Sequence, residues 1–474
     1  MRPRAADTVS RLSTYSRAYA LPLILALVAG CASDGVATST SAPATPEATS
    51  GTGAGSTTTA SSTSGSTAAT AEEPIRIGAS APLTGAFSQF GSANQNGYQL
   101  CVDLINERGG VLGRPLELMV EDNRSDTETA VNQVQRFIDL DEVDLLFAPF
   151  SSLLYFPTST VAEQAGMVFP AAAGGALSIW ERGYEYIFYF QQTSAEFVGQ
   201  APINALNHYR DAGVIPEGEF PATVALIHAD DFFVNSLVQG LLGGPIELEN
   251  GETLDLGPGI LAEAGMEVVY DETYPLGFAD WLVLAENIRA SDADLVLGGL
   301  ASTDEGVSLV QALDTVGYKP KAMWLSEAAQ PEFAEAVGAS ADGIMAHTTW
   351  HPNASHEGLL AGAAFSNQDF IEAFNAAYGH DPAEDEAQAF AVCQGMTQGV
   401  EGAGTVDNAE LRDWLAGRTA DDPVRTIMGN YHWDERGLPL DRNPLVGQWS
   451  EGEFNFIFPP EEFTESSDLV YPIP

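Results

Sequence analysis

Three histidines, His347, His351 and His356, form the densest group of side chains in this sequence that could do chemistry. Three imidazoles could bind zinc. However, Pro352 and Gly358 break the segment, and no nearby carboxylate offers an obvious partner for a ligating ring. The sequence also lacks a G-x-S-x-G elbow, a P-loop and an H-E-x-x-H pair. We therefore expect no catalytic residue, no metal and no cofactor.

Two serines, Ser151 and Ser152, stand between a predicted strand that ends at Ala148 and a predicted helix that begins near Pro157. Backbone N–H groups and the Ser152 hydroxyl at such a helix start could hold an anion such as a carboxylate, helped by the partial positive charge there. From the residues alone, ordinary N-cap or turn serines are the favoured interpretation. The anion site stays open as the alternative.

Two further features follow predicted strands. The stretch PAAAGG at residues 170–175 has only small side chains, which would let the backbone approach a ligand closely. Glu327 comes directly after a later strand. Alone, a glutamate in a chain with 66 acidic residues is normally a surface charge.

The elements that must position these residues are strands and helices in alternation. Apolar runs predict strands in two series, at residues 75–79, 116–120, 143–147 and 167–170, and then at 223–228, 267–270, 294–298 and 322–325. Helical apolar spacing fills the segments between them. This predicts an α/β fold of two doubly wound lobes with parallel sheets. Because ligands bind at the carboxyl ends of such strands, we expect the site in the cleft between the lobes.

The composition narrows the classes of partner. The chain has 474 residues, enough for two or three domains. It carries 19 Lys and Arg against 66 Asp and Glu, a net charge of −47. Nucleic-acid binding needs a basic surface, so we expect no nucleic-acid partner.

The N-terminus has the layout of an export signal. Several arginines precede a short apolar run at residues 21–29, too short to span a bilayer, and the run ends at Gly30 and Cys31. The sequence LVAGC resembles a bacterial lipobox, which predicts a signal peptide over residues 1–30 and lipidation of Cys31. Residues 35–71 are Gly, Ala, Ser, Thr or Pro except for Val36 and Glu47, so residues 31–72 are interpreted as a lipidated cysteine and a disordered tether. The chain should be extracytoplasmic and anchored to the cell membrane.

The remaining cysteines, Cys101 and Cys393, each fall within a helical apolar pattern. Buried free thiols are the default expectation. An exported compartment would also permit a disulfide between them, and the sequence does not decide.

Several short motifs together carry a resemblance to a known family. They are IGASAPLTG at 77–85, FG at 90–91, NERGGVLGRPL at 106–116, ED at 121–122, FPAA at 169–172, RGY at 182–184, MG at 428–429 and WDERG at 433–437. With these motifs and their spacing, residues 73 to about 460 resemble the solute-binding proteins of ABC importers for branched-chain and related amino acids. That family has the type I periplasmic-binding-protein fold.

The resemblance implies two lobes that the chain crosses between three times, near Gln192, His347 and Met428. Lobe I would hold residues 73–192 and 347–428, and lobe II residues 193–346 and 429–466, followed by a tail at 467–474. The lobes would close on a solute by hinge motion. The implied partners are a small solute, expected to be an amino acid, and an ABC permease with its ATPase. A monomer is expected.

The resemblance also assigns roles at the polar ends of the ligand. A zwitterionic amino acid needs donors for its carboxylate and an acceptor for its ammonium, both shielded from water. In the family a serine at the place of Ser152, with Ser151 beside it, binds the carboxylate. Glu327 aligns with the acidic residue that accepts the ammonium.

The remaining implied contacts are backbone and aromatic. The backbone of Ala171, Ala172 and Ala173 would clamp the ligand, and Phe90 and Phe233 align with aromatic walls of the family site. The family commonly has Thr or Ser where this chain has Ala173, and this departure weakens the assignment of an amino acid as the ligand.

Asp385 falls near a position that is often apolar in leucine binders, which suggests a ligand with a polar or cationic side chain, although an Asp at a helix start is normally a cap. Two alternatives stay open. One is a ligand-sensing receptor module of the same fold. The other is an importer protein for an amide, a urea-like compound or an aromatic acid.

Overall fold

The computed structural model describes residues 73–460 and 467–474. The predicted signal peptide, the lipidation site Cys31 and the tether up to residue 72 lie outside the described residues. The described residues form two parallel-rich sheets with helices packed around them. This is the α/β class with two wound sheets that the alternation of strands and helices predicts.

The elements alternate from the start of the described chain. The first part contains β1 (Ile75–Ala81), α1 (Ser88–Glu107), β2 (Leu116–Asp122), α2 (Thr127–Asp139), β3 (Leu145–Phe147), α3 (Ser152–Ala165), β4 (Phe169–Ala171), α4 (Leu177–Trp180) and β5 (Ile187–Tyr189). The middle part contains α5 (Ala195–Asp211), β6 (Thr223–Ala229), α6 (Phe232–Leu242), β7 (Pro245–Glu247), β8 (Thr253–Asp255), α7 (Ile260–Glu263), β9 (Glu267–Tyr274), α8 (Trp281–Ser291), β10 (Leu295–Gly299), α9 (Thr303–Val316), β11 (Ala322–Leu325), α10 (Pro331–Val337) and β12 (Ile344–Thr348). The last part contains β13 (Glu357–Leu360), β14 (Ala363–Ser366), α11 (Asn367–Tyr378), α12 (Glu384–Ala403), α13 (Asn408–Ala416), β15 (Val424–Thr426), β16 (Gly429–Tyr431), β17 (Leu445–Ser450) and β18 (Glu453–Phe458).

The first sheet is parallel, in the order β2-β1-β3, and the parallel pair β4-β5 lies beside it. A hydrogen bond from the Ala148 amide to the Pro170 carbonyl, 3.2 Å long, links the two groups of strands. The central strand β1 is almost fully buried, as expected for a parallel strand with helices on both faces. All four strands predicted in the first series are present.

The second sheet has seven strands in the order β18-β17-β12-β11-β10-β6-β9. Strands β12, β11, β10, β6 and β9 are parallel, whereas β17 and β18 form an antiparallel edge. The four strands predicted in the second series are β6, β9, β10 and β11. The sequence analysis did not predict β12, β17 or β18.

The third crossing between the lobes, expected near Met428, stays a prediction, but the packing of the residues that follow bears on it. Tyr431 and Trp433 pack in the same apolar core as Phe190 and other residues around the first sheet, and Leu438 packs with the strands β4 and β5. The chain joins the seven-stranded sheet only at Leu445. This packing favours a third crossing between residues 438 and 445; the other lobe boundaries stay predictions.

Helices α1 and α12 lie against each other with little space between their backbones. A Cβ atom at Gly97 would come within 2.3 Å of the Glu386 carbonyl oxygen. This close approach brings Cys101 and Cys393 together, and they form a disulfide. The default expectation of two buried free thiols is therefore wrong, because the two cysteines form a covalent link between the helices.

No helix in residues 73–460 or 467–474 combines the length and the hydropathy that a bilayer-spanning segment requires.

Candidate functional site

A cavity lies between the two sheets, at the carboxyl ends of their strands. Its walls come from the segments that follow β3, β4, β6, β10 and β11, from the end of β12, and from the first turn of α12. This is the edge at which open α/β sheets bind ligands, and the cleft between the lobes is where the sequence placed the site.

One wall is the N-terminus of α3. Ser151 is the N-cap residue, but its side chain makes no capping hydrogen bond, and its Oγ is buried without a partner. The Ser152 Oγ accepts a hydrogen bond from the Ala176 amide at 3.3 Å, which leaves its proton free to be donated. The first turn of α3 contains no acidic residue. The positive end of the helix and two hydroxyls therefore face the cavity, and this arrangement suits an anion.

The small residues after β4 contribute only in part. Ala173 and Gly174 line the cavity. Trp180 Nε1 donates a 3.0 Å hydrogen bond to the Gly174 carbonyl oxygen. Gly174 has a φ of +108°, and a Cβ there would lie 2.6 Å from the Tyr155 ring, so this position requires glycine. Ala171 and Ala172 are buried at the end of the strand and are not among the lining residues.

Glu327 faces the cavity from the second sheet, two residues after β11 ends. Burial, together with the negative charges of Glu384, Asp231 and Glu305, raises the pKa of Glu327 to about 8. No hydrogen bond reaches the Glu327 carboxyl from the described part of the chain. A buried carboxyl without donors can accept hydrogen bonds from a cation brought in by a ligand.

Two more carboxyls come from the first turn of α12. Glu384 Oε2 accepts hydrogen bonds of 2.8 Å from the Thr349 amide and from Thr348 Oγ1. Asp385 Oδ2 accepts one of 3.0 Å from Gln330 Nε2. Burial raises the pKa of both carboxyls, and repulsion from neighbouring carboxyls raises that of Asp385 further. Both side chains line the cavity.

Asp385 does not act as the helix cap, which was the alternative reading of its position. Glu386 has the capping role instead, because its Oε2 accepts a 3.0 Å hydrogen bond from the Ala383 amide. Asp385 is therefore available to the cavity.

A fourth carboxyl, Asp231, caps α6 at the opposite wall. Its Oδ1 accepts hydrogen bonds from the amides of Phe233 and Val234 at 2.9 and 3.2 Å. Its Oδ2 is buried and has no partner, and burial raises the pKa of Asp231. One carboxyl oxygen of Asp231 thus caps α6, and the other has no hydrogen-bond partner beside the cavity.

The apolar part of the wall is aromatic. Phe87, Phe150 and Phe233 line it, together with Tyr189. Phe90, the predicted wall residue, lies one layer behind: it is 2% exposed and stacks on Phe150 with 4.4 Å between ring centroids. Phe90 supports the wall from behind and is not among the lining residues.

Five of the eight predicted site residues therefore line one cavity: Ser151, Ser152, Ala173, Phe233 and Glu327. Phe90, Ala171 and Ala172 lie behind its surface. The lining residues that the sequence analysis did not select include Phe87, Phe150, Asp231, Glu384 and Gln388. The position of Asp231, three residues after a predicted strand, was a usable signal for this residue.

Of the three clustered histidines, only His347 lines the cavity. Burial lowers its pKa to about 4, so its ring is neutral near pH 7. Burial also lowers the pKa of His351 and His356. Within residues 73–460 and 467–474, no group of three or more His, Cys, Asp or Glu side chains is arranged to hold a metal ion.

Comparison with known proteins gives one family. The sequence profile described as "periplasmic binding protein" matches residues 74–231 and 258–452. A Leu/Ile/Val-binding protein homolog from Brucella suis is 24% identical over 403 residues, which cover 83% of this chain and 93% of the relative.

Solved structures share the fold. The branched-chain amino acid transporter substrate binding protein LivJ from Streptococcus pneumoniae, in complex with isoleucine, superposes with a TM-score of 0.64 at 18% identity, covering 80% of this chain and 97% of that one. An ABC transporter solute binding protein from R. palustris, in complex with benzoate, gives a TM-score of 0.61 at 18% identity, covering 81% and 95%.

Proposed function

Because this chain belongs to the periplasmic binding protein family, a family of extracytoplasmic solute-binding proteins and not of enzymes, we propose that it captures a small amino acid between its lobes and delivers it to an ABC importer. The family and the type I fold confirm the resemblance read from the sequence. The solute, the anchor and the delivery are the proposed parts.

The observation that carries the proposal is that Ser151, Ser152 and Glu327 line the same cavity from two different sheets. An α-amino acid has a carboxylate and an ammonium on one carbon. The α3 N-terminus supplies donors for the carboxylate, and Glu327 supplies an acceptor for the ammonium. The LivJ structure with isoleucine supports an amino acid as the class of ligand.

The four carboxyls of the cavity argue against an aromatic acid. Benzoate, the ligand of the R. palustris protein, carries a carboxylate but no cation. It would leave the Glu327 carboxyl and Asp231 Oδ2, which have no donor among the described residues, beside an apolar ring, and unpaired buried polar groups are costly.

The remaining parts of the proposal concern location and partners. A lipid on Cys31 would hold the protein at the outer face of the cell membrane, and the stretch to residue 72 would act as a tether. An ABC permease and its ATPase would receive the solute from a monomeric binding protein.

Calorimetry and thermal-shift measurements of the purified protein against the twenty amino acids test this function, because a ligand that binds only the folded state raises the melting temperature. We expect binding by at least one amino acid. The expected loss in Glu327→Ala, with a normal circular dichroism spectrum, is about 10- to 100-fold in affinity. The conservative control is Glu372→Gln on the exposed face of α11, which should bind as wild type. If no amino acid binds, or if Glu327→Ala binds unchanged, the proposal is wrong.

A further inference from the structure

The cavity contains more carboxyls than one α-amino group needs. Asp231, Glu327, Glu384 and Asp385 all line it, and none of its lining residues, all of which belong to the described chain, is Lys or Arg. A single ammonium offers three hydrogen-bond donors. Four acidic side chains thus face the cavity, whereas an amino acid with an aliphatic side chain brings one cationic group.

Buried hydrogen-bond acceptors without partners also indicate a ligand with more than one group of donors. Asp231 Oδ2 and Gln388 Oε1 are buried and have no hydrogen-bond partner, in side chains that are 6% and 3% exposed. Gln388 Nε2 donates to Thr349 Oγ1 at 2.7 Å, and this bond fixes which end of the amide remains free. Unpaired buried acceptors are rare in native proteins and call for a partner.

The first turn of α12 concentrates these acceptors on one side of the cavity. Glu384 and Gln388 are four residues apart on one helix face, and Asp385 lies between them in sequence and also lines the cavity. The carboxylate end of the ligand is proposed to lie elsewhere, at the α3 N-terminus, and the α-ammonium at Glu327. The α12 group is thus left for another part of the ligand.

We infer that the solute is an amino acid whose side chain carries a second, cationic nitrogen group, which Asp385, Glu384 and Gln388 bind. This inference rests on the proposed function and refines its ligand class. An aliphatic side chain would leave Gln388 Oε1 without a donor and would bring no charge to the two carboxyls beside it, at a cost in affinity. A cationic group would supply several donors and neutralise charge in the same place.

L-Ornithine and L-norvaline form a matched pair of probes, because they share one carbon skeleton and differ only in the terminal amine. Calorimetry of the wild-type protein should show ornithine binding at least about 10-fold more tightly than norvaline. L-Citrulline, which has a neutral urea group on the same skeleton, should fall below ornithine. Putrescine, which lacks the carboxylate, should also bind more weakly.

The variant that locates the second cation is Asp385→Asn, which keeps the size of the side chain and an oxygen that can accept from Gln330. We expect it to lose about 10- to 100-fold in affinity for ornithine and little for norvaline. Glu372→Gln is again the charge-matched control. Because the pKa of Glu327 is raised to about 8, binding of ornithine should also displace a proton, so the apparent binding enthalpy at pH 7 should depend on the ionisation enthalpy of the buffer.

The outcomes separate the two proposals. If norvaline or leucine binds as tightly as ornithine, or if citrulline binds more tightly, the inference fails while the proposed function stands. If Asp385→Asn reduces norvaline and ornithine affinity equally, the assignment of Asp385 to the second cation is wrong. If none of the amino acids binds, both proposals are overturned.

Discussion

Glu327, which follows β11, and Glu384, the first residue of α12, face the same cavity from two different elements. Burial raises the pKa of Glu327 to about 8, and Glu384 is the neighbouring charge that contributes most to the rise. At neutral pH Glu327 therefore holds a proton that a cationic ligand would displace.

The contribution of Glu327 to the stability of the ligand-free protein should fall as the pH rises. Between the ordinary pKa of 4.5 and the folded pKa of about 8, folded Glu327 keeps a proton that the unfolded chain has lost, so its contribution weakens through that window. Asp231, Glu305 and Glu384 also face this carboxyl, while His347 is neutral throughout. Because buried His347, His351 and His356 act in the opposite direction below about pH 6.5, the Glu327 contribution must be measured as a difference between variants.

The contribution of Glu327 can be isolated with Glu327→Gln, which keeps the shape but cannot ionise. Melting curves of the two proteins across this range should diverge, with the variant losing less Tm as the pH rises. Glu372→Gln should follow the wild type. Parallel curves for Glu327→Gln and wild type would show that this carboxyl does not titrate as the structure indicates.

Gly240 should tolerate no larger side chain, because α5 and α6 touch there. A Cβ on Gly240 would lie 1.7 Å from the Glu196 carbonyl oxygen, which is backbone and cannot move aside. We expect Gly240→Ala to lower the free energy of unfolding by about 1–3 kcal/mol in urea denaturation. Glu286→Ala, on the exposed side of α8, should change it by less than about 0.5 kcal/mol. Equal stability of Gly240→Ala and wild type would contradict this packing.

Sequence analysis recovered the parallel strands because each is a short apolar run bounded by turn residues, as in β6 and β10. It did not recover the antiparallel edge of the second sheet. Strand β18 is only partly buried and mixes polar with aromatic residues, so no apolar run marks it. Strand β17, although buried, was not predicted either, so the position of the third crossing near Met428 rests on the resemblance alone.

The site residues that follow predicted strands could be predicted, and the others could not. Ser152 and Glu327 follow strands and are matched by the family resemblance, so their positions could be inferred one at a time. Glu384 could not, because an acidic residue at a helix start is usually explained by the helix dipole. Phe87 was missed in favour of Phe90 because the helix begins at Ser88, a boundary that periodicity does not resolve to one residue.

Lipidation of Cys31 predicts that the protein fractionates with membranes. In Cys31→Ser the thiol that would receive the lipid is absent, so the protein should appear in the soluble extracytoplasmic fraction or remain unprocessed. Ser33→Ala, which keeps Cys31, should behave as wild type. Mass spectrometry of the wild-type N-terminus should show an acylated cysteine, and an unmodified Cys31 in membrane-free protein would contradict the anchor.

The disulfide between Cys101 and Cys393 should stabilise the fold, because it joins residues 292 positions apart in the sequence and ties α1 to α12. Restricting so long a loop in the unfolded chain typically contributes about 2–4 kcal/mol. We expect a reductant to lower the urea midpoint of the wild type, and the double variant Cys101→Ala and Cys393→Ala to be lowered without reductant and unaffected by it. Thiol titration of denatured, unreduced protein should detect no more than Cys31. Two further titratable thiols, or a midpoint insensitive to reductant, would show that the bond is absent in the protein.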